Sequence, residues 1–342
     1  MKQPFEYTGL FIEHCGTSCA NHCRFCIAGK AKADDLSFER FAAFVRRFDD
    51  WRRAKECHRF ELLFNWMRAE NWDMDTAVAM KRLHRQVMPE IREALFMGGI
   101  QFKSDSDLKA WLAERRNLGT DLIWVSLAGN HELHNKWVGR KGDFEFNMRA
   151  IDFANELGYM RGEVLFLTKS TLPMIEDLLD LMDAIPGREW RKVRVVHYRG
   201  RGKRMMHERI TTDDCQRLSP RVLRDLQERD SLRTASEWIR LFREGLEPVP
   251  LKTRLFLNVT QSNIADLEEK SCDVIVADLE ARTEQVWNAL PDIGYLCDRY
   301  GVPDSQDTRL YPAGELERIW MDQYLQENLI EIERDLTTLT NN

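Results

Sequence analysis

Six times in the first two hundred residues an apolar, strand-like run is followed by an amphipathic helical one, and this alternation limits the possible folds more than any other feature. The strand candidates are Tyr7–Ile12, Arg59–Phe64, Ala94–Gly98, Leu122–Leu127, Glu163–Thr168 and Val193–Tyr198. Between them, Ser37 stands where it can cap a helix whose Phe38, Phe41, Val45 and Phe48 recur every three or four residues. A second helix carries Leu108, Trp111 and Leu112 and stops near Gly119. A third turns Met148, Ile151, Phe153 and Ala154 inward and ends at Gly158, a glycine cap. The fourth runs from about Leu172 to Ala184, before Pro186-Gly187. Such β–α units imply a parallel sheet, because only a crossover helix returns the chain to begin a parallel neighbour. The strands are mostly apolar on both faces, as buried parallel strands are. An open doubly wound sheet and a partial barrel both satisfy the pattern.

After Tyr198 the rhythm changes. RGRGKRMMHER is polar and broken by glycine, and helical stretches follow over roughly Thr212–Glu228 and Ser231–Glu244. Pro248-Val249-Pro250 marks a boundary. Beyond it Thr253–Thr260 and Cys272–Leu279 read as two strands, with helices near Arg282–Leu290 and Ala313–Leu336 and a polar tail, Thr337–Asn342, read as disordered. The expected organisation is a core over 1–205, a helical connection over 206–249 and a small α+β C-terminal extension over 250–342.

Composition excludes several classes. Seventeen Phe and ten Trp supply ample material for a packed core, and a formal charge of −6 argues against general nucleic-acid binding. No apolar run follows the lysine of MKQPFEYTG, so the start does not read as a signal peptide, and no window of eighteen apolar residues is present. The expectation is a cytoplasmic protein with no membrane partner, whose clustered thiols bind metal instead of pairing as disulfides.

Four of the eight cysteines fall within CGTSCANHCRFC, residues 15–26. The spacing Cys19-x3-Cys23-x2-Cys26 lets three thiolates from one loop take three corners of a cubane iron–sulfur cluster, leaving one iron open to a small molecule. Structural zinc is the competing occupant, with His14, Cys15 or His22 as a fourth ligand. Against it, Cys57, Cys215, Cys272 and Cys297 are isolated and supply no second pair.

The stretch C-ANH-C-RF-C resembles the CxxxCxΦC signature of the radical SAM superfamily, with Phe25 as the aromatic residue before the last cysteine. It also lies where that family carries it, between the first strand and the first helix. The resemblance covers about Tyr7 to Gly202. It implies a partial (β/α)6 TIM-like barrel, in which active groups sit at the C-terminal ends of the strands. It implies further that Cys19, Cys23 and Cys26 hold a [4Fe–4S] cluster, and that S-adenosylmethionine binds the open iron. Reductive cleavage would then yield a 5′-deoxyadenosyl radical that abstracts hydrogen from a substrate. An electron donor of the flavodoxin or ferredoxin type is the implied partner. Cys15 falls outside the register and reads as a packing cysteine.

The rest of the site is implied less completely. The family's GGE after the second strand is replaced here by Asn65, Trp66 and Met67, so the glutamate is missing. Gly98-Gly99 reads as a tight turn beside the cavity. In the fourth unit Ser126, Gly129, His134-Asn135 and Arg140 resemble a family stretch whose Ser and Arg contact S-adenosylmethionine, and an arginine grips a carboxylate with two parallel hydrogen bonds. Val195 or Val196 would lie against the adenine. His197 and Tyr198 are candidates for proton or radical handling. The segment Arg188–Arg209 carries nine Lys or Arg against two Glu, either a solvated face or a site for an acidic or phosphorylated substrate. With only Cys272 and Cys297 beyond residue 250, one cluster per chain is expected. The reading is therefore a single-cluster radical SAM enzyme acting on a peptide or protein. The alternatives are a small metabolite or nucleotide as substrate and, in a different class, a zinc-stabilised binding module.

Overall fold

A computed structural model describes residues 6–27, 33–55, 60–66, 69–245, 252–304 and 306–328. Its strands are β1 (Glu6–Glu13), β2 (Glu61–Asn65), β3 (Leu95–Phe96), β4 (Leu122–Leu127), β5 (Met160–Leu167), β6 (Arg188–Val195), β7 (Arg233–Thr234), β8 (Lys252–Asn258) and β9 (Leu310–Tyr311). Two parallel runs, β2-β1-β8 and β3-β4-β5-β6, form the halves of a partial TIM-like barrel. Among the described residues no ladder joins β2 to β3.

Strand alternation fixes the two faces. Ile123, Val125 and Leu127 of β4, Leu165 and Leu167 of β5, and Val193 and Val195 of β6 pack outward with helices such as Asp143–Glu156 and Ile175–Asp183. Leu10 and Ile12 of β1 do the same with Phe38, Phe41, Val45 and Phe48 of the helix Phe38–Ala54. Ser37 caps that helix, accepting from the Arg40 N–H. The opposite faces of β3, β4 and β6 line the barrel interior with aromatic rings. Trp124 lies 4.9 Å from Phe96 and 5.0 Å from Trp190, and Phe96 is 47% exposed.

Several expectations need correction. The strand expected in the C-terminal extension, Thr253–Thr260, is β8, and it lies parallel beside β1 in the barrel sheet, with Leu10 opposite Leu255 and Ile12 opposite Leu257. The barrel thus has seven parallel strands where six were expected. Cys272–Leu279 is no strand but the start of the helix Cys272–Ala289, capped by Ser271, with Cys272, Ile275, Val276 and Leu279 on one buried face. A short apolar run fits either period, and here the helical one wins. The helix expected over Thr212–Glu228 breaks into Thr212–Gln216 and Pro220–Asp225, because Ser219-Pro220 starts a new helix. β6 begins earlier than expected: charged Arg191 pairs with Glu163 of β5 at 2.5 Å, and Glu163 also binds Arg161 at 2.6 Å. Met67, Cys57, Pro248–Pro250 and the tail Thr337–Asn342 lie outside the described residues.

The C-terminal helices Ala235–Arg243, Ile293–Tyr300 and Glu315–Glu327 meet around Trp238, Phe242 and Trp320, with the antiparallel β7–β9 ladder at their edge. A buried ion pair between Arg209 and Glu315 ties this cluster to the segment after β6.

Candidate metal and cofactor site

The loop that follows β1 is fastened to strand ends on both sides of the mouth. The N–H groups of His14 and Gly16 donate to the carbonyls of Asn65 and Trp66 after β2, both at 2.8 Å. Ala20 N–H donates to Gly99 beyond β3 at 2.9 Å. His22 and Arg24 donate to Val138 and Trp137, the last turn of the helix after β4, at 2.7 and 2.8 Å. The Cys26 carbonyl accepts from Arg201 N–H, beyond β6, at 2.9 Å. The loop therefore lies at the C-terminal ends of the strands and touches the segments that follow β2, β3, β4 and β6.

Cys19, Cys23 and Cys26 are partly exposed along this loop and carry no disulfide. Burial raises the Cys19 thiol above its ordinary range, aided by Cys26 and Asp143 and opposed by the Asn21 N–H and Arg140. Burial pushes Cys23 up to about 12, with Cys26 and then Cys19 adding to it. Cys19 thus responds to Cys26, and Cys23 to both of the others, and without a cation Cys19 and Cys23 hold their protons. A bound cationic centre inverts that balance and takes thiolates outright. Among the described residues no group of three His, Cys, Asp or Glu is gathered tightly enough to hold a metal ion. The donor set fits a thiolate-bound centre in its chemistry, three cysteines carried on the one loop at the mouth. His14 does not face that centre: its Nδ1 lies 2.7 Å from the Val259 carbonyl and its ring 4.3 Å from Trp66. Cys15 is buried, its thiol donating to the Thr17 carbonyl at 3.6 Å.

The other expected residues scatter around the loop. Phe25 packs 4.3 Å from Phe166 of β5 and 6.2 Å from Trp137. Asn65 ends β2 with its carbonyl on the loop. The Trp66 indole is 5% exposed and belongs to the aromatic core, 5.2 Å from Phe38 and 5.1 Å from Phe41, so it offers the mouth only backbone. A Cβ on Gly16 would come within 2.3 Å of that indole, which is why the loop needs glycine there. Ser126 is partly exposed on β4, on the face opposite Val125 and Leu127. Val195 faces the outer core, and the period-two alternation of β6 takes it away from an adenine in the barrel. Its neighbour Val196 packs with Ala128, Trp137 and Met205 instead. His197 Nε2 lies 3.1 Å from Glu228 and 3.0 Å from Arg194. The Tyr198 phenol is pushed up to about 12 by burial and by Asp322, which keeps it neutral.

Arg140 sits beside the loop but is already engaged. It donates to the Ile100 carbonyl at 2.5 Å and to Asn21 at 3.3 Å, and lies over the Phe102 ring. Asn21, His134 and Asp143 complete a buried network, of which sequence reasoning singled out only His134, through the fourth-unit resemblance. Ala128 N–H, at the end of β4, donates to His134 Nδ1 at 3.2 Å, so the ring proton sits on Nε2 and points to Asp143 Oδ2 at 3.1 Å. Asp143 also accepts from Asn147 at 3.0 Å and from Asn21 at 3.3 Å. Turning the Asn21 amide keeps Asp143 as a partner and brings Gly99 N–H within 3.3 Å. Beyond the resemblance that names His134, the signal available for Asp143 was a polar residue at the start of an otherwise apolar helical face. A larger cleft of about 670 Å³, lined by Lys169, Leu172, Thr211, Asp214 and Arg217, shares no residue with the loop.

No protein-family model matches the chain, and no curated protein matches it. Among solved structures it is similar to coproporphyrinogen III oxidase (HemN) from Escherichia coli, a radical SAM enzyme, with 14% identity over 94% of this chain and 90% of that one and a TM-score of 0.38. It is also similar to SuiB of Streptococcus suis bound to S-adenosylmethionine, with 13% identity over 74% of this chain and a TM-score of 0.40. A third is anSMEcpe with bound AdoMet, with 15% identity over 69% of this chain and 60% of that one and a TM-score of 0.41. The chain spans about half the length of SuiB. At such identities and scores its chemistry has to be read from its own residues.

Proposed function

We propose that the chain is a radical SAM enzyme with one [4Fe–4S] cluster, held by Cys19, Cys23 and Cys26. The observation that carries this reading is the position of the CxxxCxΦC loop at the C-terminal mouth of a partial parallel barrel, fastened by main-chain bonds to the segments after β2, β3, β4 and β6. When bound, the cluster supplies the electron that cleaves S-adenosylmethionine and frees a 5′-deoxyadenosyl radical for hydrogen abstraction.

The chain's own residues do the holding. Gly99 and Asn71 brace the loop around Cys19, Asn71 donating to the Ser18 and Gly99 carbonyls at 3.2 and 3.1 Å. Asn65 and Trp66 offer carbonyls beside the loop, in the place of the missing glutamate. Ser126 faces the barrel interior, where a hydroxyl can orient a bound ribose or carboxylate. Arg140 is assigned to the same neighbourhood, with Asp143 fixing its direction. Phe25 packs against Phe166 at one side of the mouth. His197 and neutral Tyr198, at the end of β6, are candidates for moving a proton or hydrogen atom. Residues 206–249 and 259–342 are proposed as the appendage to this barrel.

The proposed substrate is a peptide or protein segment, supported by the aromatic rings of Phe96, Trp124 and Trp190 on the barrel interior; a small metabolite or nucleotide is the alternative. SuiB has been captured with a precursor peptide, SuiA. An electron donor of flavodoxin or ferredoxin type is proposed as partner, and no described helix is long and apolar enough to cross a membrane. The test is release of 5′-deoxyadenosine from S-adenosylmethionine after anaerobic reduction. Wild type is expected to release it and Cys23→Ala to release none; equal yields would overturn the reading.

A further inference from the structure

The positive charge of Arg188–Arg209 does not spread evenly over a solvated face. Arg201, Arg204 and His207 meet Arg24 of the cysteine loop around a cavity of about 220 Å³, with Trp137 and Met205 as its apolar wall. One side is fixed to the loop: the Arg201 guanidinium donates to the His22 and Cys23 carbonyls at 3.1 and 3.3 Å.

Several arginines elsewhere in the chain meet carboxylates, as Arg92 meets Glu189 and Arg221 meets Asp180. Among the described residues the side chains of Arg24 and Arg204 make no hydrogen bond or ion pair. The lining includes one carboxylate, Glu208, and it is turned to Ser170, taking its N–H at 3.1 Å and its hydroxyl at 2.8 Å. His207 Nε2 stays 3.8 Å from it. The cavity therefore carries a surplus of positive charge, with Arg24, Arg201 and Arg204 set against the single carboxylate of Glu208. Like charges around a partly enclosed space repel, and an anion between them turns that repulsion into attraction. Guanidinium forks match oxyanions in shape, and the volume suits one phosphate or carboxylate group, being below the usual range for whole ligands.

We propose that this cavity is an oxyanion-binding site, taking a phosphate or carboxylate group from a small metabolite or from an acidic peptide side chain. Because Arg24 lies between Cys23 and Cys26, occupancy clamps the cysteine loop to the segment 200–208. The site needs no metal, so it stands or falls apart from the cluster reading.

The experiment is calorimetric titration of the full chain with inorganic phosphate and, separately, with tetraglutamate at constant ionic strength. Saturable binding of at least one is expected, with affinity falling roughly tenfold or more in Arg204→Glu and Arg24→Gln, as for a lost charged contact to an oxyanion. Thermal unfolding of Arg204→Glu should match wild type, since that side chain is exposed and unpaired. Phosphate binding alone assigns the site to a small anion, and tighter tetraglutamate binding assigns it to a peptide. No saturable binding of either, or binding unchanged in both variants, overturns the proposal.

Discussion

Gly99 lies so close to Cys19 that a Cβ at residue 99 would come within 2.1 Å of the Cys19 sulfur. Its φ of +80° also sits where side-chain-bearing residues rarely go. Gly98 has nothing within 4 Å of an added Cβ. Gly99→Ala should therefore displace Cys19 and cut the iron retained per chain by more than half, while Gly98→Ala leaves it near wild type. Iron analysis of the two variants after identical reconstitution checks this.

The Asp143 carboxylate is 2% exposed and gathers His134, Asn147, Asn21 and Arg140. Asp143→Ala strands the buried His134 Nε2–H and leaves Arg140 without its carboxylate. A cost of about 3 kcal/mol is expected from those unpaired groups, read as a lowered denaturant midpoint. Asn21→Ala, which cuts only the link to the loop, should cost about 1 kcal/mol.

Trp66 distinguishes a packing role from a cofactor role. Trp66→Ala empties a site enclosed by Phe38, Phe41 and His14 and should cost about 3–5 kcal/mol in chemical denaturation. Trp66→Phe should recover most of that and bind S-adenosylmethionine like wild type in an equilibrium titration. A stable Trp66→Phe that no longer binds would return the indole to the cofactor site.

Burial holds His14 below its ordinary value of 6.5, against the opposing Val259 carbonyl and Asp34. The unfolded chain therefore takes up a proton near that value while the folded one resists. Stability from this group is complete above about pH 6.5 and declines as pH falls below it. Melting curves from pH 8 to 5 should show the decline, and His14→Gln should flatten it.

Many of the barrel's elements were legible because apolar periodicity places them, although the choice of a barrel over an open sheet rested on the resemblance: β4 lies where expected, and Ser37 caps its helix as the hydroxyl before Phe38 implied. Three kinds of feature were hidden. The first half of β6 is charged, and its main-chain ladder to β5, with Arg191 paired to Glu163, could not be read from its composition. β8 was readable as a strand, but its partner β1 lies at the other end of the chain, so its membership of the barrel was not. The cysteines announced themselves by spacing, whereas His134 and Asp143 act through contacts across β4 and the loop that no local pattern encodes.

Metal and sulfide content speaks most directly to the central claim. Anaerobically reconstituted chain should contain about four iron and four inorganic sulfide, as a cubane demands. Cys19→Ala, Cys23→Ala and Cys26→Ala should each lose it, and Cys15→Ala should keep it. Zinc without sulfide in the wild type, or equal loss in all four variants, would contradict the account.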